Sequence, residues 1–301
     1  MAVYSNLKLE TKKRLYNLQF NSYPENLESH TLFYLIIAIL VLQFIIETVL
    51  DYLNAQRFQN PVPKELVDVF DTEEYLKSQE YKRTNYSFGL LTSTFSFVLT
   101  LAFLFFGGFE WVDSIARSYT DNPIVMALLF FGIIMIGSDI LTTPFSYYQT
   151  FVIEEKFGFN KSTKKLFLLD KIKGWLMTAI LGGGILALVI WFFQWAGNNF
   201  WIYTWIVVTV FTIFMNMFYS KLIVPLFNKQ TPLEEGELKQ KIENYAHKVG
   251  FELKKIFVID GSKRSTKANA YFFFFGREKR VTLYDTLIKD LEEDEIVAVL
   301  A

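Results

Sequence analysis

The 301-residue sequence has no cysteine, only two histidines and no excess of charge of either sign. Without cysteine there is no disulfide framework, no thiolate nucleophile and no Cys-ligated zinc or iron-sulfur site. Thirty Lys and Arg against thirty-one Asp and Glu leave a net charge of -1. The broad basic surface that nucleic-acid binding requires is therefore missing, and no nucleic acid is expected as a partner. Charge is scarce overall, at 20% of residues, while 52% are hydrophobic and 18% aromatic. Such a chain is too apolar to be disordered and more apolar than an ordinary soluble domain.

The apolar excess lies upstream, in five nearly charge-free stretches: 32–50 (LFYLIIAILVLQFIIETVL), 88–106, 124–142, 174–195 and 200–220. Each is about 20 residues, which at 1.5 Å per residue matches a hydrocarbon core of roughly 30 Å. They are apolar on all sides, unlike core helices of soluble proteins, which carry a polar stripe. The sequence therefore predicts an α-helical integral membrane protein with five spans in a membrane domain at 32–220, preceded by a polar segment at 1–31. A cleaved signal peptide does not explain the first stretch, because a polar segment precedes it and no small-residue cleavage pattern follows. Residues 221–301 hold 14 Lys or Arg and 13 Asp or Glu, the composition of a soluble domain.

The loop at 51–87 contains an acidic, amphipathic stretch around Asp71 to Tyr81 that reads as a surface helix. Only Ala196-Gly197-Asn198-Asn199 separates the last two spans, which forces an antiparallel helical hairpin. Trp191, Trp195, Trp201 and Trp205 flank that turn as an interfacial aromatic belt. Beyond the spans a helix is expected from about Leu233 to Val249, with Gly250 as its stop. Strands are expected at 255–260, 268–276 and 280–285. A short helix at Asp285 to Leu291 and a final helix capped by Asp294 complete an α+β segment.

The segments SYYQTFVIEEKFGFNKST (146–163), IVPLFNKQTPLEEGELKQKIENYAHKVGF (223–251), KIFVIDGSKRSTKANAYFFFFG (255–276) and DEIVAVLA (294–301) together resemble the type I CAAX prenyl proteases, integral-membrane zinc metalloendopeptidases. LQFIIETVLDYLNAQRF, in and after the first span, is similar to that family's first helix. The match runs from about residue 40 to the end in the same order. It implies that residues 221–301 are the N-terminal part of a metallopeptidase domain. In that family the segment like DEIVAVLA runs directly into HExxH, whose two His bind zinc while the Glu activates the bound water. The resemblance thus implies zinc for the complete enzyme, with the ligands outside this chain, and this chain alone is expected to be inactive.

The histidines agree with that expectation. Neither His30 nor His247 has a second His or a carboxylate at helical ligand spacing, apart from Glu243 four residues before His247. Such a pair is more often a solvated helix-face contact. No metal ligand is therefore assigned within 1–301.

Substrate binding is assigned to Asn269, Ala270 and Tyr271. By resemblance, an edge strand with an Asn-Ala pair adds the peptide as an extra antiparallel strand; the plain alternative is an ordinary amphipathic strand. Glu47 and Asp139 fall inside spans, where a charge costs at least about 2.5 kcal/mol. The resemblance implies that they line a water-filled chamber, and the alternative is an acid snorkelling to the headgroups. Glu154 and Glu155 match the family pattern; they either close that chamber onto the soluble domain or are simply solvated loop acids. Lys263 and Arg264 either attract an acidic group on a substrate or form a solvent-facing turn.

The expected partners are a peptide substrate, with or without a prenyl group, and the lipid bilayer. Two other readings remain open: a non-catalytic membrane module that binds a partner or hydrophobic peptide, and a transporter using Glu47 and Asp139 as a polar relay. The membrane is a cell membrane in a bacterium and the endoplasmic reticulum in a eukaryote. Segments 51–87, 143–173 and 221–301 carry 25 Lys or Arg against 5 in the alternate segments. The positive-inside rule then places the C-terminal domain in the cytoplasm and the N-terminus outside. An N-terminal tag in sealed cells should be digested by added protease; a protected tag would contradict this orientation.

Overall fold

The computed structural model describes residues 29–63, 67–68, 71–273 and 279–301. The expected polar segment up to residue 28 and the end of the phenylalanine run at 274–276 lie outside the described residues. Two compact units, Met1–Phe106 and Gly107–Ala301, make up the chain. Five helical segments are long and apolar enough to cross a membrane: His30–Phe58, Thr72–Phe105, Pro123–Glu154, Lys164–Trp195 and Gly197–Phe227.

In the first unit, α1 (Ser29–Ala55) and α2 (Thr72–Phe105) pair antiparallel. Phe33 meets Phe105 at 5.5 Å, Phe44 stacks on Phe97 at 4.2 Å and Phe58 meets Tyr86 at 6.5 Å between ring centroids. The acidic stretch at 71–81 is not a separate surface helix. Asp71 Oδ1 accepts from the Glu73 and Glu74 N–H groups at 2.7 and 3.1 Å, so a single helix starts there and continues into the span. Its 34 residues extend about 50 Å, well beyond a hydrocarbon core of about 30 Å, which is why its first turns are polar.

The second unit opens with α3 (Gly108–Tyr119), a helix read from sequence as a loop. Its apolar residues Val112 and Ala116, one turn apart, are almost fully buried. Asn122 then caps α4 (Pro123–Tyr148), accepting from the Ile124 and Val125 N–H groups at 2.9 and 3.2 Å, with Pro123 in the first turn where its missing N–H costs nothing. Pro144 interrupts the hydrogen-bond ladder inside α4, and the helix loosens into a π-helical turn at Gln149–Glu154. After a loop, α5 (Lys164–Met177) passes through a second π-turn at Thr178–Gly182 into α6 (Gly183–Trp195). Gly197, at φ +53°, turns the chain into α7 (Phe200–Leu222), completing the expected hairpin. Phe192 and Trp195 meet Tyr203 across it at 5.7 and 5.4 Å.

The short α8 (Val224–Phe227) leads into a four-stranded sheet of order β1-β2-β4-β3, from β1 (Gln230–Pro232), β2 (Lys255–Ile259), β3 (Ala270–Phe273) and β4 (Arg280–Tyr284). The β1/β2 and β3/β4 pairs are antiparallel, while β2 and β4 run parallel. Helix α9 (Glu237–Lys248) provides the crossover between β1 and β2, and α10 (Asp285–Asp290) and α11 (Glu293–Leu300) follow β4. α9 starts later than the sequence suggested, at Glu237. It ends as expected at Gly250, whose φ of +73° permits the turn in which Phe251 N–H reaches back to the Ala246 carbonyl at 2.8 Å.

Residues opposite one another in the registers share a face. One face carries Ile256, Val281 and Leu283, which pack with Leu238 and Ile242 of α9, Leu287 of α10 and Ile296 of α11 into the domain's core. The other face carries Phe257, Ile259, Arg280, Thr282, Tyr284, Tyr271 and Phe273. α11 is capped by Glu292 and not by Asp294: Glu292 N–H donates to Glu295 Oε2 at 2.8 Å in a reciprocal capping box. Asp294 instead reaches Lys241 of α9 at 3.0 Å, and with Glu237 and Glu293 it raises the Lys241 ammonium pKa.

Ile296 is 1% exposed at the centre of this core. Ile296→Ala should cost about 2–5 kcal/mol, read as a lower Tm in detergent; an unchanged Tm would mean that α11 does not close the core.

Candidate functional site

The strand order leaves β3 at one edge of the sheet, with β4 on one side and no described strand on the other. The carbonyl of Asn269 accepts from Tyr284 N–H at 3.0 Å. Because backbone groups alternate along an antiparallel strand, this turns the N–H of Ala270 toward the open edge. The Asn269 side chain reaches the same place: its Oδ1 accepts from Ala270 N–H at 2.8 Å, which leaves its amide NH2 as a donor there. Asn269 is exposed and Ala270 packs against the domain core. Tyr271 points to the other face, edge-to-face with Tyr284 at 6.4 Å, and its buried hydroxyl has no hydrogen-bond partner among the described residues. Of the three residues singled out from sequence, Ala270 and Tyr271 lie on this strand and Asn269 immediately precedes it.

Beneath that strand is a cavity of about 570 Å³, lined by Tyr271 and Phe273 of β3, by Tyr284, and by Met215, Tyr219 and Ser220 near the end of α7. Ser220 is 2% exposed and its Oγ also has no partner among the described residues. Burial pushes the Tyr284 phenol pKa up, with Tyr271 and Tyr219 adding to the effect. A β-carbon at Gly261 would collide with the Tyr284 ring, so glycine is needed there to place this wall of the cavity. Beside Phe273, Arg280 is 3% exposed, with its guanidinium 5.4 and 5.8 Å from the Phe273 and Phe257 ring centroids and its Nε and Nη2 without a partner among the described residues. The two ring faces compensate part of that buried charge. Nothing in the local sequence marked the cavity or Arg280, because both arise from strand order.

The turn at 261–267 fastens the sheet to the membrane helices. Arg264 forms a fork on Asp170 of α5, at 2.8 and 3.0 Å, and also donates to the Phe227 carbonyl at 2.9 Å and to Asn228 Oδ1 at 3.0 Å. This corrects the sequence reading of Arg264 as a lure for an acidic substrate group or a solvent-facing residue: its donors serve α5 and the end of the last span. Alongside, Asn160 and Ser265 form an antiparallel bridge, and Lys267 Nζ pairs with Glu154 Oε2 at 2.9 Å. Asp285 holds the turn from the other side through Ser262, by its N–H at 2.8 Å and by its hydroxyl. Glu154 therefore joins the loop to the soluble domain, while Glu155 bonds Asn160 at 2.8 Å.

The two carboxylates within spans belong to different units. Asp139 of α4 accepts from Lys171 Nζ at 2.7 Å and Trp175 Nε1 at 2.9 Å, both on α5, so it ties two spans together. Glu47 is exposed on α1 and accepts from Gln43 one turn earlier at 2.9 Å. Among the described residues no group of three or more His, Asp or Glu could hold a metal ion, and His30 and His247 are both exposed. The described residues thus offer no ligand set for a zinc ion.

Arg264→Lys keeps the charge but cannot form the fork. It should cost about 1–3 kcal/mol, measured as a lower Tm in detergent, and an unchanged Tm would show that the fastening does not depend on bidentate geometry.

The family description "CAAX prenyl protease N-terminal, five membrane helices" matches residues 51–229, and that of peptidase family M48 matches residues 232–301. CAAX prenyl protease 1 homolog of Arabidopsis thaliana is 39% identical over 275 residues, covering 88% of this chain and 65% of the relative. CAAX prenyl protease 1 of Saccharomyces cerevisiae is 37% identical over 273 residues, covering 87% of this chain and 60% of the relative. The crystal structure of S. mikatae Ste24p superposes with a TM-score of 0.83 at 39% identity, covering 89% of this chain and 65% of that one. The chain thus spans about two thirds of the length of these relatives. With one family description covering more than half of it, the chain belongs to the CAAX prenyl protease family, integral-membrane metallopeptidases of family M48.

Proposed function

We propose that this chain supplies the membrane scaffold and the peptide-gripping strand of a zinc metalloendopeptidase that hydrolyses peptide bonds in prenylated or membrane-associated substrates. The observation that carries the reading is the open outer side of β3, with Asn269 and Ala270 presenting backbone and amide groups to it. An extended peptide pairing there gains main-chain hydrogen bonds and a fixed register, while its alternate side chains enter flanking pockets. Holding the scissile bond in one register accelerates a reaction by removing orientational freedom before the chemical step.

Within this proposal Asn269 donates its amide NH2 to a substrate carbonyl, Ala270 offers backbone, and Tyr271 forms the wall on the membrane side. A zinc ion would supply the activated water in such an enzyme; by family resemblance its ligands would come from an HExxH motif, which residues 1–301 do not contain, and in this reading the 301-residue chain alone does not hydrolyse peptides. The C-terminal domain faces the cytoplasm, and the protein resides in the cell membrane of a bacterium or the endoplasmic reticulum of a eukaryote. Asp139 and Glu47 border a water-filled chamber, with Asp139 doing so from within its pair with Lys171. The membrane domain comprises residues 32–220 and the peptidase part begins at 221.

In a complete, zinc-loaded enzyme of this family carrying this sequence, Asn269→Ala should raise KM or lower kcat by about tenfold, as expected for one hydrogen bond lost at a buried contact. Unchanged kinetics would reject the edge assignment.

A further inference from the structure

A second cavity, of about 340 Å³, lies where the loop before α5 meets the turn at 261–267 and α10. It shares no lining residue with the cavity under β3. Three charged side chains in its lining, Lys161, Lys289 and Asp290, have no ion-pair partner among the described residues. Lys289 and Asp290 are consecutive on α10 and so leave it about 100° apart, while Lys161 comes from the loop. Charges of both signs therefore line one space without neutralising each other.

The hydroxyl groups around them narrow what could enter. Asp285 is already engaged: its Oδ1 accepts from the Ser262 and Thr286 N–H groups at 2.8 and 2.9 Å, and its Oδ2 accepts from the Ser262 hydroxyl. The Thr266 hydroxyl donates to the Gly158 carbonyl at 3.2 Å and the Thr286 hydroxyl to the Lys267 carbonyl at 3.0 Å. With their protons spent, Ser262, Thr266 and Thr286 present only lone pairs, and the Asp290 carboxylate likewise only accepts. A fitting ligand thus carries an anionic group for two ammonium ions and a cationic group rich in N–H donors for the acceptors. A primary ammonium has three such donors, whereas a trimethylated one has none. Lys161 directly precedes the span that begins at Lys164, which places it beside the headgroup layer, where lysines attract lipid phosphate.

We propose that this cavity binds the headgroup of a phospholipid bearing a primary ammonium. Its phosphate lies between Lys161 and Lys289, and its ammonium donates to Asp290 and to the spent hydroxyls. A volume of about 340 Å³ falls within the roughly 300–1,000 Å³ usual for small-ligand pockets. The bound lipid bridges loop, turn and α10, and so acts as a removable fastening beside the permanent one made by Arg264.

The test uses the 301-residue chain in nanodiscs of phosphatidylcholine alone, or with part of that lipid replaced by phosphatidylethanolamine or its N,N-dimethyl derivative. Phosphatidylethanolamine should raise Tm by about 4 °C or more; the dimethyl lipid, with a single N–H, should give much less. Lys161→Gln combined with Lys289→Gln should abolish the rise. Acetylation of the wild-type lysines, followed by mass spectrometry, gives a readout that needs no variant. With phosphatidylethanolamine, Lys161 and Lys289 should react about fivefold more slowly relative to Lys165, as mass action gives when most sites are filled. A rise that survives in the double variant, with lysine reactivity unchanged in the wild type, would overturn the proposal by showing a bulk effect of the bilayer. An equal rise with the dimethyl lipid would overturn it too, since donor count would then not matter. Soluble glycerophosphoethanolamine added to phosphatidylcholine discs should have little effect; a full rise there would overturn the assignment to a membrane lipid.

Discussion

The position of the sheet depends on how the 261–267 turn is held. Arg264 brings Asp170 at the start of one span, Asn228 and the Phe227 carbonyl at the end of another, and its own turn to a single guanidinium. Each donor is aimed, so the planar fork fixes direction as well as distance. The Asn160–Ser265 bridge and the Lys267–Glu154 pair add fastenings from the neighbouring loop. Strand β3 follows three residues after Lys267, so wherever the turn is pinned, the open edge goes with it.

Pinning one end has consequences for both sheet faces. The core face is covered by α9, α10 and α11 of the same domain. The other face meets the end of α7, and between them remain the cavity, two unpartnered hydroxyls and the arginine between two phenylalanine rings. Domains normally pair such buried groups or replace them with apolar ones. Their persistence beside an open strand edge, at the membrane end of the domain, is what joins architecture to function here. Gly261 is part of the same arrangement, because the turn that carries Arg264 also leaves room for the Tyr284 ring.

Spans were legible in the sequence because an all-apolar run of about 20 residues needs no partner to be recognised. Their ends were not, since polar caps such as Asp71 and the continuation past Pro144 extend helices into regions that composition assigns to loops. Helix α3 was hidden by its 12-residue length and near-balanced composition, and β1 by its three residues ending in Pro232. The roles of Asp139 and Arg264 could not be read locally because their partners lie 32 and 94 residues away. Asn269 and Ala270 were singled out only through family resemblance, and their role stands as a proposal. An edge strand is defined by its absent neighbour, and strand order is not written in the strand itself.

The most direct measurement of this arrangement is a cross-link across the bridge that fastens turn to loop. Bridge partners in an antiparallel pair lie about 4.5–5.5 Å apart at Cα, inside the range of roughly 4.4–6.8 Å that a disulfide spans. In a background without cysteine, Asn160→Cys combined with Ser265→Cys should form an intramolecular disulfide under mild oxidation in native membranes, while either substitution alone stays a free thiol. Two thiols that remain separately labelled after oxidation would show that the turn does not sit on the loop, and the open edge would lose the anchor that gives it its place.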